Sequence, residues 1–191
     1  MSRPLLADAL ATAAVIHDGD ALAVAIVGMA DAICADYDAD AEPPLYITLM
    51  HGGMPFASAL ALALGARGLD LEFDYLHATR YRGATTGSGL AWLHRPATSM
   101  RGRRVLLADD ILDEGHTLKA VTQWCEDQGA TDVRVAVLAV KVHDRCVDGV
   151  EADYVGLEVP DRYVFGFGMD YYEQGRNLPA IYALAASEDS A

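Results

Sequence analysis

The 191-residue chain is 52% hydrophobic and 22% charged, and its 28 acidic residues outnumber the 14 basic ones, which gives a formal net charge of −14. This composition is that of a globular protein with a hydrophobic core, and the length predicts one domain, residues 1–191. The acidic balance disfavours binding to nucleic acid or to an anionic membrane surface.

The apolar and cysteine residues are distributed as in a cytoplasmic protein. No apolar run reaches the roughly 18 to 20 residues that span a membrane. Arg3 is the only Lys or Arg near the N-terminus, and acids follow early, which is unlike a secretory signal. Cys34, Cys125 and Cys146 are far apart and form no CxxC pair, so we expect reduced thiols. The histidines show no spacing typical of a zinc site.

The first part of the chain alternates helical and strand patterns. Residues 20–37 predict a helix with Asp20 as its N-cap. Residues 45–50 predict a buried strand, residues 51–68 a glycine turn followed by a helix, and residues 69–78 a strand with one polar face. The predicted inward faces are Leu22, Ile26, Met29 and Ile33 in the first helix and Leu69, Leu71, Phe73 and Tyr75 in the second strand.

The alternation continues after a glycine-rich interval. Residues 79–94 have no clean period and predict a long loop or a loose hairpin, and long loops in compact domains are usually functional. Residues 103–109 predict a strand, and residues 117–129 a helix that ends at a glycine. Residues 132–140 predict a further strand, which runs directly into Lys141.

This order of elements predicts an α/β fold. Helices alternating with apolar strands between residues 45 and 140 indicate a parallel sheet of the doubly wound kind. Ligands of such sheets bind at the carboxyl ends of the strands. Gly52, Gly53, the interval 109–117 and Lys141 all fall at the carboxyl ends of predicted strands. We therefore expect them to form one site.

Three acids gather where the apolar run before Asp109 ends. A lone Asp at such a place is more often a helix cap, and Asp113 alone would fit that role. Asp109 and Asp110, however, would repel one another unless sugar hydroxyls, a cation or a cationic reaction centre neutralised them. Residues 114–117 follow, and their main-chain N–H groups at a helix N-terminus favour a phosphate. Acids beside a phosphate nest describe a site for ribose 5-phosphate.

Two segments carry a family resemblance. Residues 105–118, VLLADDILDEGHTL, resemble the phosphoribosyl-pyrophosphate motif of the type I phosphoribosyltransferases. Residues 152–184, from ADYVGLEVPDRYVFG to the end of GMDYYEQGRNLPAIYAL, are similar to the end of the hypoxanthine-guanine phosphoribosyltransferases. With Lys141, the MHGG at residues 50–53 and the RY…T…SG loop, the resemblance covers most of the chain from about Val15.

The resemblance implies the type I phosphoribosyltransferase fold, a mainly parallel five-stranded sheet flanked by helices, with a small hood subdomain. The core would span about residues 20–140, and the hood would be built from about residues 1–19 and 141–191. Apolar surface in such domains commonly forms an interface between subunits, so a homodimer or homotetramer is expected.

The implied activity is purine salvage. The enzyme would move a phosphoribosyl group from phosphoribosyl pyrophosphate to N9 of hypoxanthine, guanine or both, with Mg²⁺ bridging pyrophosphate oxygens. By resemblance Asp113 is the general-base candidate, Asp109 and Asp110 hold the ribose hydroxyls, and Asp109 and Asp170 are the metal candidates. The residues implied to bind the 5′-phosphate, besides Asp113, are Glu114, Gly115, His116 and Thr117.

The resemblance also assigns the purine and the pyrophosphate. Lys141 would contact the 6-oxo group of the purine, Tyr163 would stack on the ring, and Val164 would contribute a main-chain contact. Asp170 would lie near both the base and the magnesium. The residues implied to bind pyrophosphate are His51, Gly52, Gly53 and Arg176. Arg80 and Tyr81 belong to the loop at 79–94, which would close and exclude water.

Four residues depart from the family's pattern. His51 stands where many relatives have a basic residue, and Arg80 replaces the usual small hydroxyl residue. Glu114 and His116 stand in place of the commoner Thr and Lys, and we expect the Glu114 carboxylate to point to water because it would repel a phosphate. These changes bear on substrate affinity, which would depend on pH at His51.

Two other functions remain open from the sequence. A transferase of the same fold could act on xanthine or a pyrimidine, since the contacts to the purine C2 edge are mostly main-chain. A noncatalytic descendant would bind RNA as a regulator, which the net charge of −14 disfavours. A two-component receiver domain would have its paired acids after the first strand, and this sequence does not.

Overall fold

The computed structural model describes residues 3–37, 42–80 and 90–185. Tyr81 and the other residues at 81–89 lie outside the described residues, as does the side chain of Arg80.

Helices and strands alternate along the chain. In order they are α1 (Leu6–Thr12), β1 (Ala14–His17), α2 (Gly19–Tyr37), β2 (Leu45–Met50), α3 (Met54–Gly65), β3 (Glu72–Arg80), β4 (Leu90–His94), β5 (Arg104–Leu112), α4 (His116–Asp127), β6 (Asp132–Lys141), β7 (Tyr154–Val159), β8 (Val164–Phe165) and β9 (Ile181–Ala183). The α/β class and the predicted order from β2 to β6 are confirmed. The interval predicted as a loop or hairpin begins and ends in strands, β3 and β4, which pair antiparallel.

The main sheet has six strands in the order β4-β3-β2-β5-β6-β7, all parallel except β4 at one edge. The family resemblance implied a sheet of five strands, and the segment that contains β7 was assigned to the hood. β7 instead extends the sheet beyond β6 and packs against α2, where the Tyr154 hydroxyl donates to Asp36 at 2.7 Å. The hood is a separate three-stranded antiparallel sheet in the order β1-β9-β8, so it joins the two ends of the chain.

The hydrophobic core lies on both faces of the main sheet. Along β5, Leu106 and Ala108 face α2 and α3, whereas Val105 and Leu107 face α4. Strands covered on both faces are apolar at nearly every position, as the sequences of β2, β5 and β6 show. In the part of the chain that the structure describes, no helix has the length and apolarity needed to cross a membrane.

The face predicted for β3 is wrong. Phe73 and Tyr75 are 63% and 42% exposed, and the fully buried side chain of this strand is Leu76. Asp74 occupies the position expected to face solvent, yet it accepts the N–H groups of Ala97 and Thr98, each at 3.0 Å. Alternation predicts which residues share a face, but it does not predict which face a neighbouring segment covers.

The first residues of α2 also differ from the prediction. Asp18, rather than Asp20, caps the helix, since its Oδ1 accepts the main-chain N–H of Ala21 at 2.9 Å. The helix begins one residue earlier than predicted, which moves Asp20 into the first turn. Its inward face is as predicted, and the buried residues include Leu22, Ile26, Met29 and Ile33.

The cap leads to a test with a matched control. Asp18→Ala removes an acceptor from the first turn of α2 and should lower the free energy of unfolding by about 1 kcal/mol. Asp20→Ala loses only a favourable charge near the helix N-terminus and should cost about 0.5 kcal/mol or less. Urea unfolding of the two variants at neutral pH compares them. Equal losses would contradict the assignment of Asp18 as the cap.

Candidate active site

A cavity of about 560 Å³ opens at the carboxyl ends of β2, β5 and β6. Among the residues that line it are His51, Gly52, Asp109, Asp110, Asp113, Glu114, Gly115, His116, Thr117, Lys141, Tyr163, Val164, Asp170 and Arg176. The structure therefore brings together all the predicted site residues that it describes in full, except Gly53.

Asp109 and Asp110 lie within β5, which continues to Leu112, beyond the predicted end of the strand at Asp109. The main-chain N–H of Asp110 donates to Asp109 Oδ1 at 2.9 Å, and Asp110 is only 8% exposed. Burial and the neighbouring carboxylate raise the pKa of Asp109 well above its usual range, and burial also raises the pKa of Asp110. The positive charge of Arg176 partly opposes both shifts. Because these two acids do not readily ionise together, they are suited to bind ligands that supply hydrogen-bond donors or positive charge.

Asp113 has the opposite electrostatics because two donors hold its carboxylate. Leu112 pairs with Val140 in the parallel register of β5 and β6. The next residues along, Asp113 after the end of β5 and Lys141 at the end of β6, therefore lie side by side. Lys141 Nζ lies 2.6 Å from Asp113 Oδ2, and His143 Nε2 lies 2.7 Å from Oδ1. Burial alone would raise the pKa of Asp113, but these two contacts outweigh it, so that the pKa lies below its usual value.

His143 was not among the residues selected from the sequence. It comes two residues after Lys141, beyond the end of β6, where a histidine has no distinctive pattern. Its side chain is only 2% exposed, and this contact with Asp113 depends on the turn that follows the strand.

Glycines bring three distant segments into close contact. A Cβ on Gly52 would overlap the carboxylate of Asp110, and a Cβ on Gly168 would overlap the carbonyl oxygen of Gly52. Gly168 has φ +109°, which L side chains rarely adopt. Gly53 lies differently from the prediction, because its N–H already donates to the carbonyl oxygen of Leu49 at 2.9 Å. Gly52 is therefore the glycine of this turn that lines the cavity.

The interval from Glu114 to Thr117 forms the turn into α4. The first turn of a helix leaves N–H groups without intrahelical acceptors, and here they border the cavity beside Asp113. The Glu114 side chain is 41% exposed, and its carboxylate lies 3.8 Å from His116 Nε2. The carbonyl oxygen of Glu114 accepts the N–H of Val147 at 2.9 Å, which fixes the turn against the segment after β6.

The hood contributes the far wall of the cavity. Tyr163 donates its hydroxyl to the carbonyl oxygen of Asp170 at 3.1 Å, and burial raises the pKa of this tyrosine. Val164 begins β8 and is nearly buried. Arg176 donates to Asp170 Oδ1 at 2.6 Å and to the carbonyl oxygen of Gly168 at 2.7 Å. These bonds hold the guanidinium at the cavity wall, where its positive charge opposes the rise in the pKa values of Asp109 and Asp110.

A second histidine lies beside the predicted one. The rings of His51 and His77 are 4.3 Å apart, because β2 and β3 run parallel and Met50 pairs with His77. Partial burial and the neighbouring His51 and Arg176 lower the pKa of His77. Nothing in the sequence pattern singles out His77, since it lies inside a strand and not in the glycine turn.

Comparison with known proteins agrees with this geometry. The phosphoribosyl transferase domain matches residues 13–174. The hypoxanthine-guanine phosphoribosyltransferase of Streptococcus pneumoniae is 34% identical over 142 residues, 74% of this chain and 77% of that protein. The enzyme of the same name from Streptococcus agalactiae is 35% identical over 153 residues, 80% of this chain and 82% of that protein. The chain belongs to the hypoxanthine-guanine phosphoribosyltransferase family.

Solved structures of phosphoribosyltransferases share the fold. A hypoxanthine phosphoribosyltransferase from Staphylococcus aureus superimposes with a TM-score of 0.85 at 25% identity, covering 100% of both chains. That of Trypanosoma cruzi gives a TM-score of 0.85 at 24% identity, covering 97% of this chain and 96% of the other. These matches confirm the fold class inferred from the sequence of this phosphoribosyltransferase.

The contact at Gly52 generates a prediction. Gly52→Ala should lower the free energy of unfolding by about 1 to 3 kcal/mol, because the new methyl group must displace the Asp110 carboxylate. Gly65→Ala is the control, since a Cβ there meets nothing within 4 Å at the end of α3. It should be neutral or stabilise by up to about 1 kcal/mol. Urea unfolding measures both, and wild-type stability in Gly52→Ala would contradict the close approach.

Proposed function

We propose that this protein transfers the 5-phosphoribosyl group from phosphoribosyl pyrophosphate to N9 of hypoxanthine, guanine or both. The products are the nucleoside monophosphate and pyrophosphate. The observation that supports this most directly is Asp113, ionised by its contacts with Lys141 and His143 and placed between the paired acids and the turn into α4. The printed names of the relatives agree with this activity.

Asp113 is suited to act as the general base. As N9 forms its bond to C1′ of the ribose, the bond from C1′ to the pyrophosphate oxygen breaks, and the leaving group takes the electron pair. The purine must lose one proton from its five-membered ring to give a neutral nucleotide. A carboxylate whose pKa lies below its usual value is ionised at neutral pH and has a free site for that proton; it is a weaker base than an ordinary Asp, so its position in the cavity is what suits it to the transfer.

Asp109 and Asp110 would bind the ribose hydroxyls. Positive charge develops on the ribose as pyrophosphate leaves, and a carboxylate held nearby stabilises that charge more in the transition state than in the substrate. Burial disfavours full ionisation of this pair in the free protein. Sugar hydroxyls that donate to the carboxylates would favour their charged forms.

Lys141 would recognise the 6-oxo group. Its side chain is only 13% exposed, and one of its three N–H donors is directed at Asp113. The remaining donors are available for a carbonyl oxygen in the same cavity. Tyr163 would stack on the base, and Val164 would contribute its main chain at the edge of the ring.

The phosphate groups would bind at two places. The main-chain N–H groups of the turn from Glu114 to Thr117 suit the 5′-phosphate. Arg176, His51 and Gly52 surround the part of the cavity that would receive pyrophosphate, and a guanidinium offers it a planar fork of donors. Gly53 keeps a structural role because its N–H is engaged.

Magnesium fits this site when the substrate supplies ligands. Across the described residues, no three His, Cys, Asp or Glu side chains come together as a metal site. Mg²⁺ commonly takes one or two carboxylates together with phosphate oxygens and waters, and Asp109 and Asp170 both border the cavity. Asp170 already accepts from Arg176 and from the N–H of Glu173, which makes Asp109 the better candidate. When bound, the metal would offset charge on the pyrophosphate.

The other proposals concern the oligomeric state and the cellular location of the protein. Large apolar side chains are exposed on α2, α3 and β3, which supports the predicted homodimer or homotetramer; they include Val24, Leu62 and Phe73. The cytoplasmic location stays a prediction. The family membership disfavours the receiver-domain and regulator functions, whereas xanthine remains the competing acceptor among purines.

A nucleotide-formation assay tests the activity. Phosphoribosyl pyrophosphate and Mg²⁺ would be supplied with hypoxanthine, guanine, xanthine, adenine or uracil. We expect fast product formation with hypoxanthine or guanine, and a fall in kcat of about 10²- to 10⁴-fold in Asp113→Asn. Asp127→Asn, at the end of α4, is the control and should keep wild-type kcat. No product with any base would refute the proposed function.

Base recognition is tested at Lys141. Lys141→Met keeps an unbranched stem but removes the donor, so KM for hypoxanthine should rise at least about tenfold. KM for phosphoribosyl pyrophosphate should change much less. Lys119→Met is the control, because Lys119 donates to the carbonyl oxygen of Asp148, away from the cavity. An unchanged KM for hypoxanthine at pH 8 would exclude Lys141 from base recognition.

A further inference from the structure

His143 lies behind Asp113, outside the set of side chains that line the cavity. Its imidazole is only 2% exposed, and Nε2 is 2.7 Å from Asp113 Oδ1, on the other carboxylate oxygen from Lys141. The two contacts therefore fix both oxygens of Asp113 in position. His143 does so from the protein interior, where water cannot replace it.

The hydrogen bond at Nδ1, the second ring nitrogen, determines which nitrogen of His143 carries the proton. The main-chain N–H of Arg145 donates to His143 Nδ1 at 3.0 Å. Nδ1 is therefore an acceptor, and the ring proton belongs on Nε2, facing Asp113. A histidine in this tautomer donates to the carboxylate and cannot accept a proton from it at Nε2. A relay of the substrate proton through His143 is thus excluded in this arrangement.

Arg145 connects this histidine to the purine-binding segment. Its guanidinium binds the Asp161 carboxylate through two hydrogen bonds of 2.7 and 2.6 Å. Asp161 precedes Tyr163 by two residues and follows the end of β7. An exposed ion pair contributes little stability, but a two-point contact defines orientation. The main chain that holds His143 is therefore fixed relative to the segment proposed to bind the base.

We propose that His143 is a positioning residue for the general base, which holds the Asp113 carboxylate in the orientation needed to accept the purine proton. This inference rests on the proposed function, because it needs Asp113 to accept the purine proton. The titratable groups that face Asp113 are Lys141 and His143, with Arg145 and Asp161 beyond them. In a typical Ser-His-Asp triad a carboxylate orients a histidine that acts as base. Here the histidine orients the carboxylate.

The dependence on pH follows from the sign of the shift. The hydrogen bond from His143 favours the charged form of Asp113 and lowers its pKa, so losing this bond should raise that pKa. The acid limb of kcat/KM reports the essential base in the free enzyme. Without His143 that limb should move to higher pH, and the loss of activity should grow as the pH falls.

Three variants test the proposal. His143→Phe keeps a ring but removes the donor, so kcat should fall about tenfold at neutral pH, and the acid limb should move upward. KM for phosphoribosyl pyrophosphate should stay within about threefold. His143→Gln restores an N–H donor and should recover most of kcat and the wild-type limb. His17→Phe is the control and should keep wild-type kcat, since His17 Nε2 bonds the carbonyl oxygen of Glu158 at 2.8 Å and neither residue lines the cavity.

A double-mutant cycle shows whether His143 acts through Asp113. In an Asp113→Asn background the His143→Phe change should reduce kcat by less than about twofold, because the base it positions is already lost. An additional tenfold loss there would overturn the proposal. So would a wild-type acid limb in His143→Phe, or a His143→Gln enzyme as impaired as the Phe variant.

The two proposals fail in different ways. If wild-type protein forms no nucleotide with any base, the proposed function fails, whatever His143 does. If the wild type is active and Asp113→Asn is not, while His143→Phe keeps wild-type kcat and pH profile, only the role of His143 fails. Thermal unfolding of every variant separates loss of the fold from loss of activity.

Discussion

The parallel pairing of β5 with β6 is the constraint on which the site depends. Its register sets Leu112 opposite Val140, so that Asp113 and Lys141 lie side by side where the two strands end and form their ion pair. A slip of one residue would turn each side chain of one strand to the other face and separate the charges. Close packing of both faces of β5 prevents that slip, since Leu106 faces α2 and α3 while its neighbours face α4. Core packing and catalytic geometry thus rest on one register.

The same pairing gives similar acids different chemistry. Asp109 and Asp110 are buried beside each other, and their pKa values are raised. Asp113 lies only three residues further along, yet its pKa is lowered by two donors from the adjoining strand end. Separation of pKa values among neighbouring acids is how an active site divides roles between them. In this protein the division lets one acid be fully charged before substrate binds, while the other two respond to the ligand.

Much of the fold and site could be predicted from the sequence, because local patterns determined it. The apolar run before Asp109 and the glycine that follows Asp113, Gly115, are contiguous signals, and the family motif extends across them. Features that depend on distant segments were missed. His143 gains its role from Asp113 across two strands, and the exposure of Phe73 depends on which face a later loop covers. The period and spacing of residue types carry information about neighbours along the chain. Contacts between distant segments, such as these, can be identified only once the fold is known.

The contact among Gly52, Asp110 and Gly168 has a consequence for how the enzyme can diversify. It is made by main chain and one carboxylate, drawn from three segments that are far apart in sequence. No side chain can be added to either glycine without moving the others, so single changes here find no compensating neighbour. The part of the cavity wall formed by Tyr163 and Val164, in contrast, is built of side chains that can be exchanged one at a time. New base specificities should therefore evolve at that wall, which is proposed to bind the base, while the wall proposed to bind pyrophosphate is inherited unchanged.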